Sequence, residues 1–255
     1  MKRQPPRLSN AVQTRLGGEL ISAQIAAQLL AEMRNGCYAA AEQLPAELEL
    51  ADLLKVSRTV VRDALSELER SGCVERVRGI GTVINHGVVA LEYRCDQKLE
   101  FYRMIETTGH HPHSDHLLVT REEADEDTAA ALRIAAGQTV LCVCKRVLAD
   151  EQPVLFSTDV LPLSLFGGRR LDSIDFSRPI FTILQQTCGI QTASTVTHLH
   201  AAIGDPTVRR LLGLNREQAL LQLDELCYDR LCRPVVCCRT YYTDFFDFPL
   251  VRKLL

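Results

Sequence analysis

Three features are missing from this chain of 255 residues, and each absence excludes a class of protein. No run of about 18 apolar residues occurs, which is the length of a membrane-spanning helix, and no apolar segment follows the basic start as in a secretory signal. The formal net charge is -3, whereas a protein that coats nucleic acid needs a strong positive excess. No two cysteines have the C-x-x-C spacing of a zinc site. We therefore expect a cytoplasmic protein with no membrane partner, no metal and no other cofactor.

The length is sufficient for roughly two domains, each with a core of its own. We expect a flexible leader up to about residue 17, a first domain over residues 18–85, a linker, and a second domain over residues 95–248. Helical and strand patterns both occur, so the expected fold class is α+β.

The segment from Leu44 to Thr82 has the pattern of two short helices, a tight turn between them, and a hairpin. Pro45 suits a first helical position, so the first helix is expected over about residues 46–54. Ser57 can cap a second helix that begins at about Arg58. This order predicts a winged helix-turn-helix, a fold that binds in the grooves of double-stranded DNA.

The second helix has two different faces. At about 100° per residue, its apolar stripe consists of Val61, Ala64, Leu65 and Leu68. The opposite face carries Arg58, Thr59 and Arg62 in the first turns, where a recognition helix contacts bases, and arginine can bind guanine O6 and N7 together. The alternative is a solvated amphipathic helix that happens to be rich in arginine.

Arg78-Gly79-Ile80-Gly81 has the small residues that the tip of a hairpin needs. A glycine-rich tip beside Arg76 and Arg78 could approach the DNA backbone closely and reach the minor groove. A plain structural turn is the alternative for both glycines.

These motifs resemble the GntR family of bacterial transcription regulators. That family carries a Leu-Pro-x-Glu-x-Glu-Leu stretch, a Val-Ser-Arg-Thr-x-x-Arg stretch and a wing that ends Gly-x-Gly-Thr, and all three stand here in order over about residues 18–85. We therefore predict DNA contacts from Ser57, Arg58, Thr59, Arg62, Arg78 and Gly79. Two positions depart from the pattern, since the family usually has arginine at Leu48 and often threonine at Val60. The operator is therefore expected to differ from the usual half-site.

The second half contains an internal duplication. The same order of elements occurs over residues 132–161 and again over residues 211–242. It consists of a helix, a Leu-x-x-x-x-Gly stretch, a strand, a turn with proline and a second strand. This repeat predicts an antiparallel sheet with helices packed on it. The order resembles the UTRA domain, the ligand-sensing partner in the HutC branch of the family, which is similar in fold to chorismate lyase. The resemblance is carried by Gly109-x-x-Pro112-x-Ser114, Leu132 through Gly137 to Arg146 with Asp150 and Pro153, Leu161-Pro162, Leu212-Gly213-Leu214 and Arg233-Pro234.

The resemblance also implies an effector pocket, in which a basic residue on the strand before Asp150 holds an anionic group. Side chains alternate along a strand, so only one of Lys145 and Arg146 points inward. We favour Arg146, because its planar guanidinium can hold a carboxylate or phosphate through two hydrogen bonds. A surface charge near a strand end is the alternative.

Other side chains would complete this pocket: Ser157, Phe181, Tyr241 and Tyr242. Sugar-phosphate sensors of this branch often carry acidic residues at the position of Ser157 and near Val236. Both acids are absent here, which favours a smaller anion, an organic acid or a phosphorylated metabolite, as the effector.

The ten cysteines are expected to be mostly small buried apolar residues rather than redox sensors. The run His110-His111-Pro112-His113 continues to His116 and is expected to form a loop, in which no helix spacing fixes a metal geometry.

We therefore expect a homodimeric repressor that a small molecule releases from operator DNA, with the dimer held by apolar strands such as Val235–Cys238. Two alternatives stay open. The chorismate lyase-like fold allows an enzyme, although Ser157, Asp159 and His198 form no recognisable catalytic pattern. An effector-independent DNA-bridging protein is the other.

Overall fold

The computed structural model describes residues 20–215 and 218–253, which form two compact units. The N-terminal unit ends at Asp96 and also includes the C-terminal segment from Pro249 onward. The C-terminal unit extends from Gln97 to Phe248. The predicted leader lies outside the described residues.

The described part of the N-terminal unit contains four helices and a small sheet. The helices are α1 (Ile21–Asn35), α2 (Glu47–Leu54), α3 (Arg58–Arg70) and α4 (His86–Val89). The strands are β1 (Gln43–Leu44), β2 (Val74–Val77) and β3 (Gly81–Ile84), in the order β1-β3-β2, and all neighbours are antiparallel. The predicted helix-turn-helix and hairpin are both present. Helix α1 was not predicted; its Ile25, Leu29 and Met33, spaced four residues apart, are buried in this core.

Local chemistry explains where α2 and α3 meet. Helix α2 begins two residues after Pro45 and ends at Lys55, which takes the left-handed conformation with φ 56°. The hydroxyl of Ser57 accepts a hydrogen bond from the amide of Val60 at 3.3 Å, so the predicted N-cap of α3 is confirmed. All four residues of the predicted apolar stripe of α3 are buried.

The C-terminal unit is a six-stranded antiparallel sheet with helices. The strands are β4 (Pro112–Glu123), β5 (Thr139–Ala149), β6 (Gln152–Pro162), β7 (Thr192–Ala202), β8 (Leu220–Asp229) and β9 (Pro234–Tyr242). The helices are α5 (Phe101–Thr107), α6 (Glu126–Leu132), α7 (Ile180–Cys188) and α8 (Pro206–Leu211), and two short 3₁₀ turns follow β6. The predicted α+β class is confirmed.

The strand order β4-β5-β6-β9-β8-β7 confirms the internal duplication. The sequence β4-α6-β5-β6 is repeated as β7-α8-β8-β9, and the two halves join where β6 pairs with β9. Helix α7 packs against one face of the sheet, which we call the α7 face, together with Val143, Leu161 and Val236. Helices α6 and α8 pack against the opposite face, which we call the α8 face.

Two sequence expectations need correction. The histidine run is no loop beyond His111, because β4 begins at Pro112 and pairs with β5. Only Cys73, Cys227 and Cys238 are fully buried among the ten cysteines, while Cys232 is exposed. Among the described residues, no helix combines the length and the apolar character that crossing a membrane requires.

Candidate functional site

The first turns of α3 and the hairpin present the predicted DNA-binding residues to solvent. Ser57, Arg58, Thr59 and Arg62 are exposed on α3, and Arg78 and Gly79 are exposed at the hairpin tip. We call these six residues the recognition surface. The Nε of Arg58 lies 3.1 Å from a carboxylate oxygen of Glu47, and the Arg58 side chain is 71% exposed. Since exposed pairs of this kind contribute little, Arg58 can exchange Glu47 for a phosphate or base at small cost.

Arg76 holds the hairpin against α3 and does not belong to the recognition surface. Its Nε donates to Glu69 at 2.8 Å, its amide donates to the same carboxylate at 2.9 Å, and an Nη donates to the hydroxyl of Ser66 at 3.1 Å. These bonds orient the tip, where Gly79 has φ +82° and an added Cβ would meet nothing within 4 Å. Glycine at this position therefore permits the positive φ of the turn, and it adds no side chain at the hairpin tip.

The C-terminal segment completes the N-terminal unit. The amide of Cys95 donates to the carbonyl of Pro249 at 2.8 Å. The Nζ of Lys253 donates to the backbone carbonyl of Glu69 on α3 at 2.9 Å and pairs with Glu75 on β2 at 3.1 Å. The sequence patterns did not indicate this contact, because it joins residues that are far apart in the chain.

The α7 face of the sheet carries polar side chains in two neighbouring rows. Lys145, Ser157 and Thr240 occupy paired positions on β5, β6 and β9. Asp159 and Glu225 flank Cys238 in the next row, and Lys98 and Glu100 approach from the start of α5. We call these seven residues the inner polar cluster: Lys98, Glu100, Lys145, Ser157, Asp159, Glu225 and Thr240.

Lys145 is fully buried, and its Nζ has protein partners on several sides. It donates to the carbonyl of Arg178 at 2.7 Å and to that of Phe176 at 3.4 Å, and it lies 4.0 Å from Oδ2 of Asp159. Burial lowers the pKa of Lys145, and the charge of Asp159 opposes that change.

Asp159 is 2% exposed, and its two oxygens differ. Oδ1 accepts from the hydroxyl of Ser157 at 3.3 Å, and Ser157 in turn accepts from Thr240 at 3.4 Å. Oδ2 has no hydrogen bond within the described part of the chain. Burial raises the pKa of Asp159, while the positive charge of Lys145 partly opposes the rise.

The remaining carboxylates of the cluster are Glu225 and Glu100. Glu225 pairs with Lys98 and accepts from the hydroxyl of Thr197 at 3.0 Å. Oε2 of Glu100 accepts from the hydroxyl of Thr182 at 3.3 Å, whereas its Oε1 is buried without a hydrogen bond from any described residue. Burial raises the pKa of Glu100.

Two adjoining spaces open at this cluster. A small cavity of about 20 Å³ is bordered by Glu100 and Asp159, with Phe181 and Tyr242 among its walls. A cleft of about 340 Å³ shares Lys98, Glu100 and Phe181 with the cavity and leads past Thr182 and Ser194. The cluster therefore borders a space that a small molecule can enter.

The structure corrects the choice of Arg146 over Lys145. Arg146 points to the α8 face, where its Nε donates to Asp115 at 2.7 Å and an Nη donates to the carbonyl of Leu211 at 2.9 Å. It borders neither the cavity nor the cleft. Lys145 is the residue that points inward, because it shares the parity of the buried Val143 and Val147.

The other predicted pocket residues divide between the two faces. Ser157, Phe181 and Tyr242 border the cavity on the α7 face. Tyr241 points away from it and lines an open groove of about 560 Å³ on the α8 face. Prediction missed Glu100, Glu225 and Lys98, and it considered Asp159 only for catalysis. The signal that could have identified Asp159 is a carboxylate in the middle of a strand whose flanking residues, 154–156 and 160–161, are apolar.

The structure does not bring together the residues weighed for catalysis. Ser157 and Asp159 belong to the inner polar cluster, whereas His198 lines the groove on the α8 face. In the described parts of the chain, no group of three or more histidine, cysteine, aspartate or glutamate residues is arranged to hold a metal ion.

Comparison with known proteins follows the two units. Residues 21–84 match the family described as bacterial regulatory proteins, gntR family. Residues 107–244, more than half of the chain, match the UTRA domain.

Individual proteins match across both units. The chain is 28% identical over 205 residues to the HTH-type transcriptional regulator GgaR of Escherichia coli (strain K12), covering 80% of this chain and 79% of GgaR. It is 23% identical over 205 residues to the HTH-type transcriptional repressor NagR of Bacillus subtilis (strain 168), and the match covers 80% of this chain and 83% of NagR. The crystal structure of the possible transcriptional regulator YydK from Bacillus subtilis superposes with a TM-score of 0.71 at 17% identity, covering 92% of this chain and 100% of YydK. That likeness shows the fold.

The buried Lys145–Asp159 pair generates a stability prediction. Lys145→Met leaves the Asp159 carboxylate buried without its partner, so we expect the free energy of unfolding of the C-terminal unit to fall by about 3–5 kcal/mol. Urea denaturation of the full chain, followed by circular dichroism, measures the change. Arg103→Met is the control; because its pair with Glu106 is exposed, a loss of about 0.2–1 kcal/mol is expected.

A second variant separates lost pairing from lost packing. Lys145→Met combined with Asp159→Leu removes both charges, and we expect it to recover most of the lost stability. A loss below about 1 kcal/mol for Lys145→Met alone would show that the two charges do not depend on each other.

Proposed function

The chain belongs to the GntR family of bacterial regulatory proteins and carries a UTRA domain, and from that premise we propose that it is a repressor released from operator DNA by a small molecule. The observation that carries the DNA-binding part is the recognition surface, which combines a capped helix start with a bare glycine tip. Helix α3 presents Arg58 and Arg62 where base edges of the major groove are read. Arg78 and Gly79 suit the adjacent minor groove or backbone.

Repression is proposed because NagR, a relative over 80% of the chain, is named a transcriptional repressor. The proposed effector site is the inner polar cluster with its cavity and cleft. The sequence case for an anionic effector rested on one inward-pointing basic residue, with Arg146 favoured over Lys145. Lys145 is the residue that points inward, and its ammonium already has two carbonyls and Asp159 as partners. We therefore base the class of effector on the inner polar cluster instead.

Both connections between the units begin at this site. Asp96 ends the first unit, and Lys98 and Glu100 of the cluster follow within four residues. Tyr242 borders the cavity on β9, and the chain continues from there to Pro249 and to Lys253, which contacts α3. Ligand binding that shifts α5 or β9 would therefore act on the segments that lead to the recognition helix, and it releases DNA if the ligand prefers the state that does not bind DNA.

An enzyme is the weaker alternative, because Ser157 and His198 lie on opposite faces of the sheet. A protein that bridges DNA without an effector would leave the cavity, the cleft and their buried charges without a role.

The DNA-binding proposal predicts that Arg58→Ala and Arg62→Ala each weaken operator binding by about 1–3 kcal/mol and reduce discrimination at one base pair, since each loses a bidentate contact to a base. The operator is first selected from random duplexes with the wild-type chain. Fluorescence anisotropy then compares the operator with a scrambled duplex of equal length.

Arg70→Ala is the matched control, because Arg70 is exposed at the opposite end of the same helix. It should retain base discrimination. If both test variants bind the operator as the wild type does, or if no sequence is selected at all, α3 is not a recognition helix.

We further propose that the protein is a homodimer, because reading two half-sites requires two recognition helices. Val235, Val236 and Cys238 are buried within their own unit, so their apolar character does not by itself indicate a partner. The α8 face offers a better surface, since Leu118 on β4 is 58% exposed and Val196 on β7 is 50% exposed. These residues lie on the two edge strands of the sheet, and we propose that a second copy of this chain packs against this face.

The dimer proposal predicts that the double variant Leu118→Asp, Val196→Asp sediments as a monomer at micromolar concentration, while the wild type sediments as a dimer. A buried aspartate in an apolar interface costs far more than an exposed one. Leu231→Asp is the control, since Leu231 is 73% exposed in the β8–β9 turn. A wild-type monomer would contradict the proposal, and so would an unchanged dimer in the double variant.

A further inference from the structure

We propose that the effector is a small hydroxylated amine whose ammonium group binds between Asp159 and Glu100, while its hydroxyl groups occupy the adjoining cleft. The inference rests on the proposed function, because it takes the inner polar cluster as the effector site. It departs from the sequence expectation of an organic acid or phosphorylated metabolite.

The first observation is a pair of acceptors without donors. Oδ2 of Asp159 and Oε1 of Glu100 are both buried without a hydrogen bond of normal geometry from the described residues. Near the Asp159 carboxylate, the ammonium of Lys145 is 4.0 Å from Oδ2, and the thiol of Cys238 is a weak donor. The two side chains border the same cavity. Buried carboxylate oxygens are stabilised by hydrogen bonds from a donor, and a ligand donor in this cavity would supply one to each of these two oxygens.

The lysines of the cluster are already engaged. Lys145 donates to the carbonyls of Phe176 and Arg178, and its Nζ is 4.0 Å from Asp159. Lys98 pairs with Glu225, and its Nζ lies 5.4 Å from the centre of the Phe181 ring. Neither lysine needs an anion from a ligand to complete its contacts.

The charges of the cluster favour the same conclusion. When all five groups are ionised, the three carboxylates of Glu100, Asp159 and Glu225 face two ammonium groups, those of Lys98 and Lys145. A ligand anion would increase the excess of negative charge in a buried site, whereas one ligand ammonium would balance it. Burial raises the pKa of both Asp159 and Glu100, and an ammonium placed between them would favour their ionised forms.

The size and lining of the two spaces indicate the rest of the molecule. The cavity of about 20 Å³ has room for one group of the size of a water molecule, which an ammonium matches. The adjoining cleft of about 340 Å³ lies at the small end of ligand pockets. Its wall is rich in hydroxyl and amide groups that can bind ligand hydroxyls: Thr182, Gln185, Thr192, Ser194 and Thr195.

Two series of probes test this inference with the full chain. The first compares serinol, glycerol and glycerate, which share a three-carbon skeleton and differ in charge. The second compares glucosamine, glucose and glucuronate, which fill more of the cleft. Isothermal titration calorimetry measures each affinity, and we expect each amine to bind at least about tenfold more tightly than its neutral and anionic counterparts.

Variants locate the binding group. Asp159→Asn and Glu100→Gln keep the shape of the side chains and remove one carboxylate each, so each should reduce the preference for the amine about tenfold or more. Glu151→Gln, an exposed carboxylate in the β5–β6 turn, is the control and should keep the preference. Thermal melting of each unliganded variant checks that it is folded.

The outcomes separate this inference from the proposed function. It is overturned if neither amine binds, if an anion binds more tightly than the matching amine, or if both variants retain the preference. Selection of an operator by the wild-type chain tests DNA binding without any ligand. If the wild-type chain selects an operator but binds neither amine, the inference alone is overturned. If the chain binds the amines but selects no operator, the regulator proposal alone is overturned.

Discussion

A carboxylate buried in the middle of a sheet is the constraint on which the C-terminal unit depends. Asp159 cannot be solvated at 2% exposure, so the sheet places Ser157 and Lys145 beside it. Lys145 in turn requires the carbonyls of Phe176 and Arg178, which fixes the loop that leads into α7. One oxygen of Asp159 remains without a donor. The unit is thus built around a site whose polar contacts a ligand would complete.

The same arrangement suggests how a site in one unit could act on the other. Only two segments of the described chain connect the units, and each begins beside the cavity, at Lys98 and at Tyr242. The first returns to Asp96, and the second leads to Lys253, which contacts a carbonyl of α3. In the proposed function, a ligand changes DNA binding only if its affinity differs between the two states of the protein.

Local sequence rules predicted the N-terminal unit well and the inner polar cluster poorly. The cap at Ser57 and the apolar stripe of α3 depend on neighbours within four residues, so propensity and periodicity determine them. Alternation showed that one of Lys145 and Arg146 points inward, but helices pack on both faces of this sheet, so the sequence pattern does not mark which of the two residues faces the inner polar cluster. The contact of Lys253 with α3 is a long-range contact that no local pattern contains. The internal repeat was an exception, because it predicted an antiparallel sheet with helices packed on it.

The most direct test of this account is the pKa of Asp159 in the full chain, measured by NMR titration of its side-chain carboxyl carbon. An incompletely paired, buried carboxyl should have a pKa above the ordinary value of about 3.9 in the free protein. The value should fall when serinol or glucosamine binds, because a nearby ammonium stabilises the carboxylate. A pKa at or below the ordinary value in the free protein would show that Asp159 is already fully paired and would contradict the account.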